Sequence, residues 1–488
     1  MFTRVLIANR GEIACRILRT LRSQGIASVA VYHHEDRGAP HVQLADQAVQ
    51  LEADVPSAAY LDQAQIIAAA QRSAAQAIHP GYGFLSENAG FAERVAAAGI
   101  TFIGPEAAVI RLMGDKIRAR AFAIAQGVPV AASIDASDPG TLAARALAVG
   151  FPLLIKAAAG GGGKGMRIVR TSAELAASLE AAAAEAQRYF GDGRVYAERY
   201  IERPRHIEVQ VLGDGAGNVV HLFERECSLQ RRYQKIVEES PAPNLPEELR
   251  RELCAAAVSL ARAARYRNAG TVEFVLAPDG AFYFLEMNTR LQVEHPVTEC
   301  VLGLDLVAEQ LRIAAGAGLA FTQAVLEPRG HAIECRICAE EPEHDFRPAT
   351  GRVGILEVPA GANVRFDGGI AAGQAITPAF DSMLAKLVAF GPDRAAAAAE
   401  LSRALEELVL LGVPTNIDYL GRILRHPQFL AGNLHTGFLS EHAAGLSAPE
   451  LPQERAAATV AALLAQPDFR AAACDVPEPH ASIGLWRN

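Results

Sequence analysis

Lysine is scarce in this chain, whereas arginine is abundant. The 488 residues carry 46 basic side chains, of which only five are lysine and 41 are arginine. A compositional bias of the genome would explain this ratio. Alternatively, the few lysines mark positions that need a compact ammonium rather than a planar guanidinium. These positions are Lys116, Lys156, Lys164, Lys235 and Lys386.

Long apolar runs and an excess of positive charge are also missing. Hydrophobic residues make up 50% of the chain, yet no uninterrupted apolar stretch approaches the roughly 18 residues of a membrane span. The net charge of -9 argues against a nucleic-acid surface. Met1 leads directly into the strand-like run 5–8, without the charged and apolar segments of a secretory signal. We therefore expect a cytoplasmic protein that binds neither nucleic acid nor membrane.

Cysteines are few and scattered, which is typical of a reducing compartment. There are seven, an odd number, and only Cys335 and Cys338 form a Cys-x-x-Cys pair. The segment 331–338 alternates like a strand, in which positions three apart point to opposite faces. No second cysteine pair completes a metal site. We therefore expect no metal or redox role for this pair.

A dinucleotide motif is absent from a segment that otherwise suggests one. Residues 4–33 predict a strand, a helix that stops at Gly25, and a second strand. The turn at 9–12 reads Asn-Arg-Gly-Glu rather than Gly-x-Gly-x-x-Gly, so we reject a dinucleotide fingerprint. A further unit of this kind surrounds His79, which we interpret as a strand-end residue without a catalytic role. The N-terminal part is therefore predicted to be α/β.

Four consecutive glycines, Gly160 to Gly163, lie between the apolar segments 151–157 and 166–169. A flexible linker would contain such a run, but linkers are rarely bracketed by two strands with a lysine at each end. We interpret the run as a loop that covers phosphate groups. It is not a Walker loop, because no Lys-Ser or Lys-Thr precedes a helix.

Polar side chains recur at every second position from Glu286 to Glu294. They follow the apolar run 282–285, so we expect the end of a strand that continues into a loop, with these groups on one face. A solvent-facing edge strand would alternate in the same way. The aromatic residues in the run 282–285 favour burial of this face. A buried face with carboxylates, an amide and a guanidinium needs a metal ion and an anionic ligand. The hairpin turn at 277–280 would place Glu273 beside this face.

Another alternating segment predicts a hairpin with strands at 206–212 and 219–224. His206, Glu208 and Gln210 share one face of its first strand. Taken alone, such a face is more often solvated than functional.

Six motifs follow one another along the chain. They are Ile-Ala-Asn-Arg-Gly-Glu-Ile at 7–13, His-Pro-Gly-Tyr-Gly-Phe-Leu-Ser-Glu-Asn at 79–88, Met-Gly-Asp-Lys at 113–116, the glycine-rich 160–166, Gln-Arg-Arg-Tyr-Gln-Lys at 230–235 and Glu-Met-Asn-Thr-Arg-Leu-Gln-Val-Glu-His at 286–295. Together they strongly resemble the motifs of biotin carboxylases of the ATP-grasp superfamily. The resemblance extends over residues 1–440, and six motifs in order with compatible spacing are far more specific than any one of them.

The resemblance implies an α/β protein with three domains and a tail. A Rossmann-like N-terminal domain would cover residues 1–112, and an ATP-grasp domain would cover 113–320, with a mobile lid at about 128–200. A mixed α+β biotin carboxylase C-terminal domain would cover 330–440. Residues 441–488 would form a tail or linker. The resemblance also implies that 198–201 is the strand that holds adenine. Independently of it, the sequence pattern predicts one helix from Ser86 and another from Asp393 to about Leu411.

The resemblance also implies roles for individual residues. Those expected to bind ATP are Lys116, Lys156, Gly162, Gly163, Glu198, Arg199, Ile201, His206, Gln230 and Tyr233. Those expected to bind Mg²⁺ or Mn²⁺ are Glu273, Glu286 and Asn288. Those expected to form the bicarbonate pocket are Lys235, Arg290, Gln292 and Val293. Glu294 would be the general base, and Arg336 would stabilise the biotin enolate.

Three positions depart from the common family pattern. Tyr233 stands where many members have histidine, which affects a contact to ATP. Lys164 replaces a common arginine and keeps its charge. Cys338 stands where asparagine is frequent, two residues after Arg336, and this puts the detail of the biotin pocket in question. A salt bridge between Arg336 and the neighbouring Glu334 is the alternative to a catalytic role for that arginine.

The reaction implied is carboxylation of biotin on a carrier protein, driven by ATP and bicarbonate through carboxyphosphate. This is the first half-reaction of a biotin-dependent carboxylase of the acyl-CoA type. Phosphoryl transfer of this kind depends on positioning and charge neutralisation, and carboxyphosphate must be protected from water by a lid. One alternative is another ATP-grasp ligase with a different acceptor. Another is a regulatory homologue with a dead site.

The implied partners are a biotin carboxyl carrier, a carboxyltransferase subunit, and a second copy of the chain or a larger carboxylase complex. None of the five lysines lies in a Met-Lys-Met setting, so we expect the carrier on another chain or on a continuation of this one. The segment 484–488 looks like the start of a linking domain in longer acyl-CoA carboxylase α chains. The final acceptor, an acyl-CoA, pyruvate or urea, is left open.

Overall fold

The computed structural model describes residues 1–135, 142–158, 166–448 and 453–467. The first strands are β1 Arg4–Ile7, β2 Ala27–Tyr32, β3 Gln47–Gln50, β4 Ala77–His79, β5 Thr101–Phe102, β6 Ser133–Asp135, β7 Leu153–Ala157, β8 Arg167–Val169, β9 Val195–Arg199, β10 Arg205–Asp214, β11 Val219–Arg231 and β12 Gln234–Ser240. The later strands are β13 Arg267–Leu276, β14 Phe282–Asn288, β15 His331–Cys338, β16 Glu340–Glu341, β17 Arg347–Pro348, β18 Gly351–Arg352, β19 Ile355–Glu357, β20 Val364–Gly368, β21 Ala375–Ile376, β22 Met383–Gly391 and β23 Val409–Leu411.

Helices alternate with these strands along much of the chain. The first are α1 Gly11–Ser23, α2 Pro40–Leu44, α3 Pro56–Ala59, α4 Gln63–Arg72, α5 Ala89–Ala97, α6 Ala107–Gly114, α7 Lys116–Ala125, α8 Leu142–Val149 and α9 Ser172–Phe190. The later ones are α10 Glu247–Ala263, α11 His295–Leu302, α12 Leu306–Ala314, α13 Arg394–Glu407, α14 Ile417–Arg425, α15 Pro427–Leu430, α16 Phe438–Glu441, α17 Ala443–Leu446 and α18 Gln453–Ala465. Short 3₁₀ turns lie at His34–Asp36, Gln323–Val325 and Pro342–His344. In the described part of the chain, none of the helices combines the length and the apolar character needed to cross a bilayer.

The N-terminal sheet is parallel, with strand order β3-β2-β1-β4-β5. The predicted strand, helix and strand at 4–33 are confirmed as β1, α1 and β2. Parallel strands are buried on both faces, and the apolar residues of β1 accordingly have no exposed surface. The chain leaves α1 through Gly25, whose φ of +68° lies in the left-handed region. The carboxyl end of β1 and the first turn of α1 then face the cleft described below.

A four-stranded antiparallel sheet, in the order β6-β9-β7-β8, forms a small layer covered by α9. The two strands predicted on either side of the glycine run are present as β7 and β8. The predicted lid residues Gly162 and Gly163 lie outside the described residues, as does the run they belong to.

The largest sheet has eight strands in the order β14-β13-β10-β11-β12-β15-β22-β20. All of its neighbouring strands are antiparallel. Its strands come from two distant parts of the chain, and the pairing of β12 with β15 joins them. Because the sheet is continuous, residues predicted from segments far apart in sequence lie on one surface.

Two predicted helices have different ends in the structure. The helix predicted from Ser86 begins at Ala89, because the side chain of Asn88 accepts a hydrogen bond from the backbone N–H of Phe91 and caps the helix there. The helix predicted to run from Asp393 to about Leu411 ends at Glu407. Its last residues instead form β23, which pairs with β19. Strand pairing at Val409 to Leu411 therefore outweighs the helical pattern.

Candidate active site

A cleft of about 790 Å³ lies across the eight-stranded sheet. Every predicted site residue that the structure describes lines this cleft, from Lys116 in α7 to Arg336 in β15. The predicted residues come from at least six elements, so their convergence is a property of the fold and not of local sequence. The predicted residues in the cleft are Lys116, Lys156, Glu198, Arg199, Ile201, His206, Gln230, Tyr233, Lys235, Glu273, Glu286, Asn288, Arg290, Gln292, Val293, Glu294 and Arg336.

Carboxylates meet at the centre of the sheet because three strands are in register there. Glu208 of β10 is opposite Glu273 of β13, and Glu273 is in turn opposite Glu286 of β14. The prediction that the hairpin turn places Glu273 beside Glu286 is therefore confirmed. Like charges directly opposite each other are unfavourable, so this arrangement requires cations between them.

The His206 face is buried, although a face of this pattern taken alone is more often solvated. Glu208 and Gln210 have no exposed surface, and His206 is only 8% exposed. The face is covered because β10 lies in the middle of the sheet and packs under the loop that follows β14. Local alternation could not reveal this, since the covering segment is some 80 residues further along the chain.

The strand predicted through Glu286 ends at Asn288, so the regular alternation does not extend to Glu294. Residues 289–294 form a loop, and Glu294 is the N-cap residue of α11. Pro296 at the start of α11 fixes the helical backbone there and excludes a continuing strand. The polar residues still converge, because the loop folds back over β13 and β10.

Lys235 is the cation that brings these carboxylates together. Its Nζ lies 2.6 Å from Glu294, 3.0 Å from Glu273 and 2.5 Å from Glu208. Burial would lower the pKa of Lys235, but these three carboxylates raise it well above its usual value. The ammonium is therefore charged, and it carries the countercharge for the centre of the cleft.

Glu294 contacts a second cation on its other side. Arg336 donates to Glu294 at 2.9 Å and to Glu238 at 2.6 Å. Burial would raise the pKa of Glu294, but Lys235 and Arg336 hold it well below its usual range. The ion-pair partners of Arg336 are these two glutamates rather than the neighbouring Glu334 that the sequence offered as an alternative.

Arg290 reaches the cleft from the loop. Its Nε donates to Glu87 at 2.9 Å, and one terminal nitrogen donates to the Asn288 amide oxygen at 3.0 Å. Gln292 donates to Glu273 at 2.7 Å and accepts a hydrogen bond from Arg225 at 3.0 Å. These bonds leave the guanidinium and the amide at the wall of the cleft, where a planar anion would be bound in a bidentate manner.

The other end of the cleft is lined by Lys116 and Lys156. The Nζ of Lys116 lies 3.1 Å from Glu286, and Lys156 forms an ion pair with Glu198. The strand predicted at 198–201 ends at Arg199, so Ile201 follows it in extended chain. The Glu198 side chain is paired with Lys156 and with Arg120, and its main chain lies in β9 between β6 and β7.

The β11–β12 hairpin supplies the predicted residues Gln230 and Tyr233. Gln230 lies 2.9 Å from Nδ1 of His206, which ties the hairpin to β10. Arg232 and Tyr233 form the two-residue turn, and both have positive φ, +49° and +66°. The ring of Tyr233 is half exposed at the rim of the cleft. Two residues with side chains in this conformation represent local strain at the site.

Oxygen atoms suited to a divalent cation are concentrated at Glu273, Glu286 and Asn288. Asn288 donates its amide nitrogen to Glu273 at 2.8 Å, which orients the amide oxygen away from that carboxylate. Ligand atoms of His206, Glu208 and Glu273 also lie within 4.8 Å of one another. Carboxylate and amide oxygens are the ligands that Mg²⁺ prefers, so the residues present fit this ion.

Sequence reasoning missed several residues of the site. Arg225 is fully buried and donates to Glu208 at 2.6 Å, while Glu238 holds Arg336 and Lys386 donates to the loop. The signal for Arg225 was its place in the second strand of the predicted hairpin, opposite Glu208. The signal for Lys386 was the rarity of lysine. For Glu238 there was no comparable signal.

Two lysines at one end of the cleft, a cluster of carboxylates suited to a divalent cation, and residues of the four-stranded sheet in the lining are together typical of an ATP-grasp ligase site. The model of the carbamoyl-phosphate synthase L chain ATP binding domain matches residues 115–322. The models of the biotin carboxylase N-terminal and C-terminal domains match residues 1–110 and 334–441. The chain belongs to the biotin carboxylase family, whose members are ATP-dependent carboxylases.

Individual relatives agree with this assignment. The biotin carboxylase of Nostoc sp. is 51% identical over 90% of this chain and 99% of its own length. The α subunit of mitochondrial methylcrotonoyl-CoA carboxylase from Dictyostelium discoideum is 45% identical over 99% of this chain and 70% of its own. A crystal structure of the biotin carboxylase domain dimer of Hydrogenobacter thermophilus 2-oxoglutarate carboxylase, with MgADP, ADP and bicarbonate, superposes with a TM-score of 0.90. It is 44% identical and covers 92% of this chain and 100% of that one.

Proposed function

We propose that this chain carboxylates biotin on a carrier protein, using ATP and bicarbonate, and forms carboxyphosphate on the way. The observation that carries the proposal is the position of Glu294 between Lys235 and Arg336. One side chain thereby connects the predicted bicarbonate pocket with the predicted biotin-stabilising arginine. The role of each residue below belongs to this proposal.

Lys116 and Lys156 would neutralise the phosphates of ATP as point charges. Glu273, Glu286 and Asn288 would hold Mg²⁺ or Mn²⁺, which supplies charge neutralisation at the phosphates when it is bound. Gly162 and Gly163 would cover the nucleotide, and the main chain at Glu198 to Ile201 would contact the base. His206, Gln230 and Tyr233 would complete the part of the cleft that contacts the nucleotide.

Arg290, Gln292, Val293 and Lys235 would seat bicarbonate. The low pKa of Glu294 keeps it ionised, but a strongly paired carboxylate is a weak base. Bicarbonate bound there would compete with Glu294 for Lys235, because both anions would contact the same ammonium. Its arrival would therefore weaken the ion pair and raise the basicity of Glu294 at the moment when a proton must be taken up.

Arg336 would stabilise the enolate oxygen of biotin. A preorganised cationic donor of this kind contributes on the order of 3 kcal/mol to transition-state stabilisation. The adjacent wall of the cleft contains Tyr82, Phe84 and Phe380, which offer apolar surface for the biotin rings. Cys338 lies on the same wall, and burial raises the pKa of its thiol, so it remains protonated.

The larger assembly belongs to the same proposal. We propose the division into domains at 1–112, 113–320 and 330–440, with a lid at about 128–200. The parallel sheet and the four-stranded sheet each lie within one of these domains, whereas the eight-stranded sheet spans the second and the third. The partners would be a biotin carboxyl carrier, a carboxyltransferase subunit and a second copy of this chain. A reducing, cytoplasmic setting is consistent with the six described cysteines, all of which are free thiols.

The decisive experiment measures ADP release by the purified chain with MgATP. We expect release to depend on bicarbonate and to be stimulated by free biotin or by a biotinylated carrier. Release that depends on bicarbonate but responds only to an amine acceptor would favour another ATP-grasp ligase. Nucleotide binding without any turnover would favour a regulatory homologue and would overturn the proposal.

A further inference from the structure

Lys386 is a buried lysine that belongs to none of the predicted site residues. It lies in the middle of β22, and its side chain has no exposed surface. Burying an ammonium costs free energy unless charged or polar partners surround it. The chain uses lysine only five times, so a fully buried one needs a physical explanation.

The ammonium of Lys386 bridges two other segments. Its Nζ donates to the carbonyl oxygen of Val293 at 2.7 Å and lies 3.2 Å from Oε1 of Glu12. Glu12 lies in the first turn of α1 and also accepts a hydrogen bond from the hydroxyl of Tyr82. Lys386 therefore links the loop after β14 to both the N-terminal sheet region and β22.

Two further carboxylates surround the same ammonium. Asp367 of β20 is opposite Lys386 in the sheet, and Arg365 already binds it at 2.7 Å. Glu334 of β15 is fully buried, and neither of its oxygens has a hydrogen-bond partner. Glu12 is the carboxylate in ion-pair contact with Nζ, so the direction of the ammonium is set by Glu12 on one side and Val293 on the other.

The contact with Val293 fixes one peptide group of the loop that follows β14. Residues 289–294 lie outside any strand, so separate contacts and not the hydrogen bonds of a strand pair hold their peptide groups. The carbonyl of Gln292 accepts from the ring nitrogen of His295 at 2.7 Å, and the next carbonyl, that of Val293, accepts from Lys386. The peptide that joins Val293 to Glu294 is thus oriented by the lysine.

We propose that Lys386 is a positioning residue for bicarbonate, which orients the main chain of Val293 and the carboxylate of Glu294 without touching the anion itself. This inference rests on the proposed function, because that function places bicarbonate at Val293 and Glu294. A displacement of about 1 Å in a group that orients a reactant is sufficient for a rate loss of about a hundredfold. Lys386 is not among the residues that line the cleft, so it would act on bicarbonate through the loop.

The variant Lys386→Met removes the charge and the donor while it keeps the length of the side chain. We expect kcat/KM for bicarbonate to fall by about a hundredfold, while KM for ATP changes by less than about threefold, because the nucleotide residues lie on other elements. Equal losses for both substrates, or no loss for bicarbonate, would overturn the inference.

Two additional variants separate positioning from charge balance. Glu12→Gln removes the charge of the paired carboxylate but keeps a side-chain oxygen that accepts from Lys386, and it leaves the donor to Val293, so it should keep KM for bicarbonate near the wild-type value. The double variant Lys386→Met/Glu12→Gln removes the charge of the lysine together with that of its ion-pair partner, so it remains informative where the single lysine variant fails to fold. We expect the double variant to bind MgATP normally and to retain the bicarbonate defect.

The outcomes of this series are distinct. A double variant with wild-type bicarbonate kinetics would show that Lys386 only balances the charge of Glu12, and one that no longer binds MgATP would show a general structural role. Either result overturns the inference. If the wild-type chain releases ADP in response to bicarbonate and biotin, the proposed function stands whatever Lys386→Met does. If the wild-type chain shows no such release, the proposed function fails first.

Discussion

At the scale of single residues, the site is a set of buried charges that share their partners. Glu294 is 2% exposed and contacts both Lys235 and Arg336, and Lys235 contacts two further carboxylates. Such groups titrate and act as a unit, so the role of one cannot be separated from the others by inspection of pairs. Substitutions that keep shape but remove one charge are the informative ones.

The variant Glu294→Gln tests the division between nucleotide binding and bicarbonate chemistry. The amide keeps the shape of the side chain but cannot accept a proton, so bicarbonate-dependent ADP release should fall by roughly 10²- to 10⁴-fold. MgATP affinity, measured by calorimetry, should stay within a few-fold of the wild type. Glu400→Gln, at a partly exposed position of α13 outside the cleft, serves as the control. Loss of ATP affinity together with turnover would mean that the loop is one structural unit.

The pKa values of Glu238 and its neighbour Glu239 are shifted in opposite directions. Burial raises the pKa of Glu238 to about 7, despite the lowering effect of Arg336. The folded protein therefore favours the protonated form, and the stability from this group is present below its ordinary pKa of 4.5 and is lost as pH rises through about 7. Relative to Glu238→Gln, the wild type should lose up to about 3 kcal/mol of unfolding free energy over that range.

The control for this pH dependence is Glu239→Gln. Burial would raise the pKa of Glu239, but hydrogen bonds from His331 and Arg394 lower it. Its stability contribution is therefore present above pH 4.5 and is lost as pH falls below that value. Denaturant unfolding between pH 4 and pH 8 measures both variants. A difference between wild type and Glu238→Gln that does not change over this range would contradict the assignment.

At the scale of elements, the β11–β12 turn combines strain with function. Arg231 pairs with Gln234, so Arg232 and Tyr233 are the two residues of a tight turn, and positive φ at both is the pattern that favours Asn-Gly. The sequence keeps arginine and tyrosine there. A contact between the ring of Tyr233 and the nucleotide would explain why a strained residue is kept at this position.

The variant Arg232→Asn/Tyr233→Gly should relieve the strain and remove the ring. We expect the free energy of unfolding to increase by about 1 kcal/mol. KM for ATP should rise roughly threefold to tenfold, because an aromatic contact is lost. Arg232→Asn alone keeps the ring and should raise stability without a change in KM. Equal KM values for both variants would show that Tyr233 does not contact the nucleotide.

At the scale of the whole molecule, the eight-stranded sheet makes the central and C-terminal parts interdependent. The β12–β15 pair brings Glu238 and Glu239 beside Arg336 and His331, and Arg394 of α13 completes the ion pairs. Removal of one partner from a buried ion pair typically costs about 3–5 kcal/mol. The C-terminal part therefore supplies Arg336 and also stabilises the centre of the cleft.

A chain that ends at residue 330 should not fold into a soluble monomer. It would leave β12 as an open edge and Glu238 and Glu239 without their cations. Size-exclusion chromatography and circular dichroism of fragment 1–330 measure this outcome. Fragment 1–448, which keeps the whole sheet, is the matched control and should remain monodisperse. A monodisperse, cooperatively unfolding fragment 1–330 would show that the two parts fold independently.

Sequence motifs determined the family and the residues of the cleft, because phosphate, cation and bicarbonate chemistry restrict which side chains stand at adjacent positions. Glu286 to Glu294, His206 and Lys235 could be predicted in this way, and so could the β1–α1–β2 unit, whose apolar period is local. The burial of Glu208, the end of β14 at Asn288 and the partners of Arg336 could not be predicted. They depend on which segment covers another across the sheet, and no local pattern contains that information.

What the sequence by itself determined is therefore the set of functional groups available to this protein, namely lysines, carboxylates and arginines of the kinds that suit phosphates, a divalent cation and small anions. Only the tertiary structure decided how these charges compensate one another. Lys386 illustrates the difference. Its rarity in the sequence marked it as unusual, but its role became visible only when β22, α1 and the loop at Val293 were brought together around one buried ammonium. Burial makes each such charge dependent on partners that are distant in the chain.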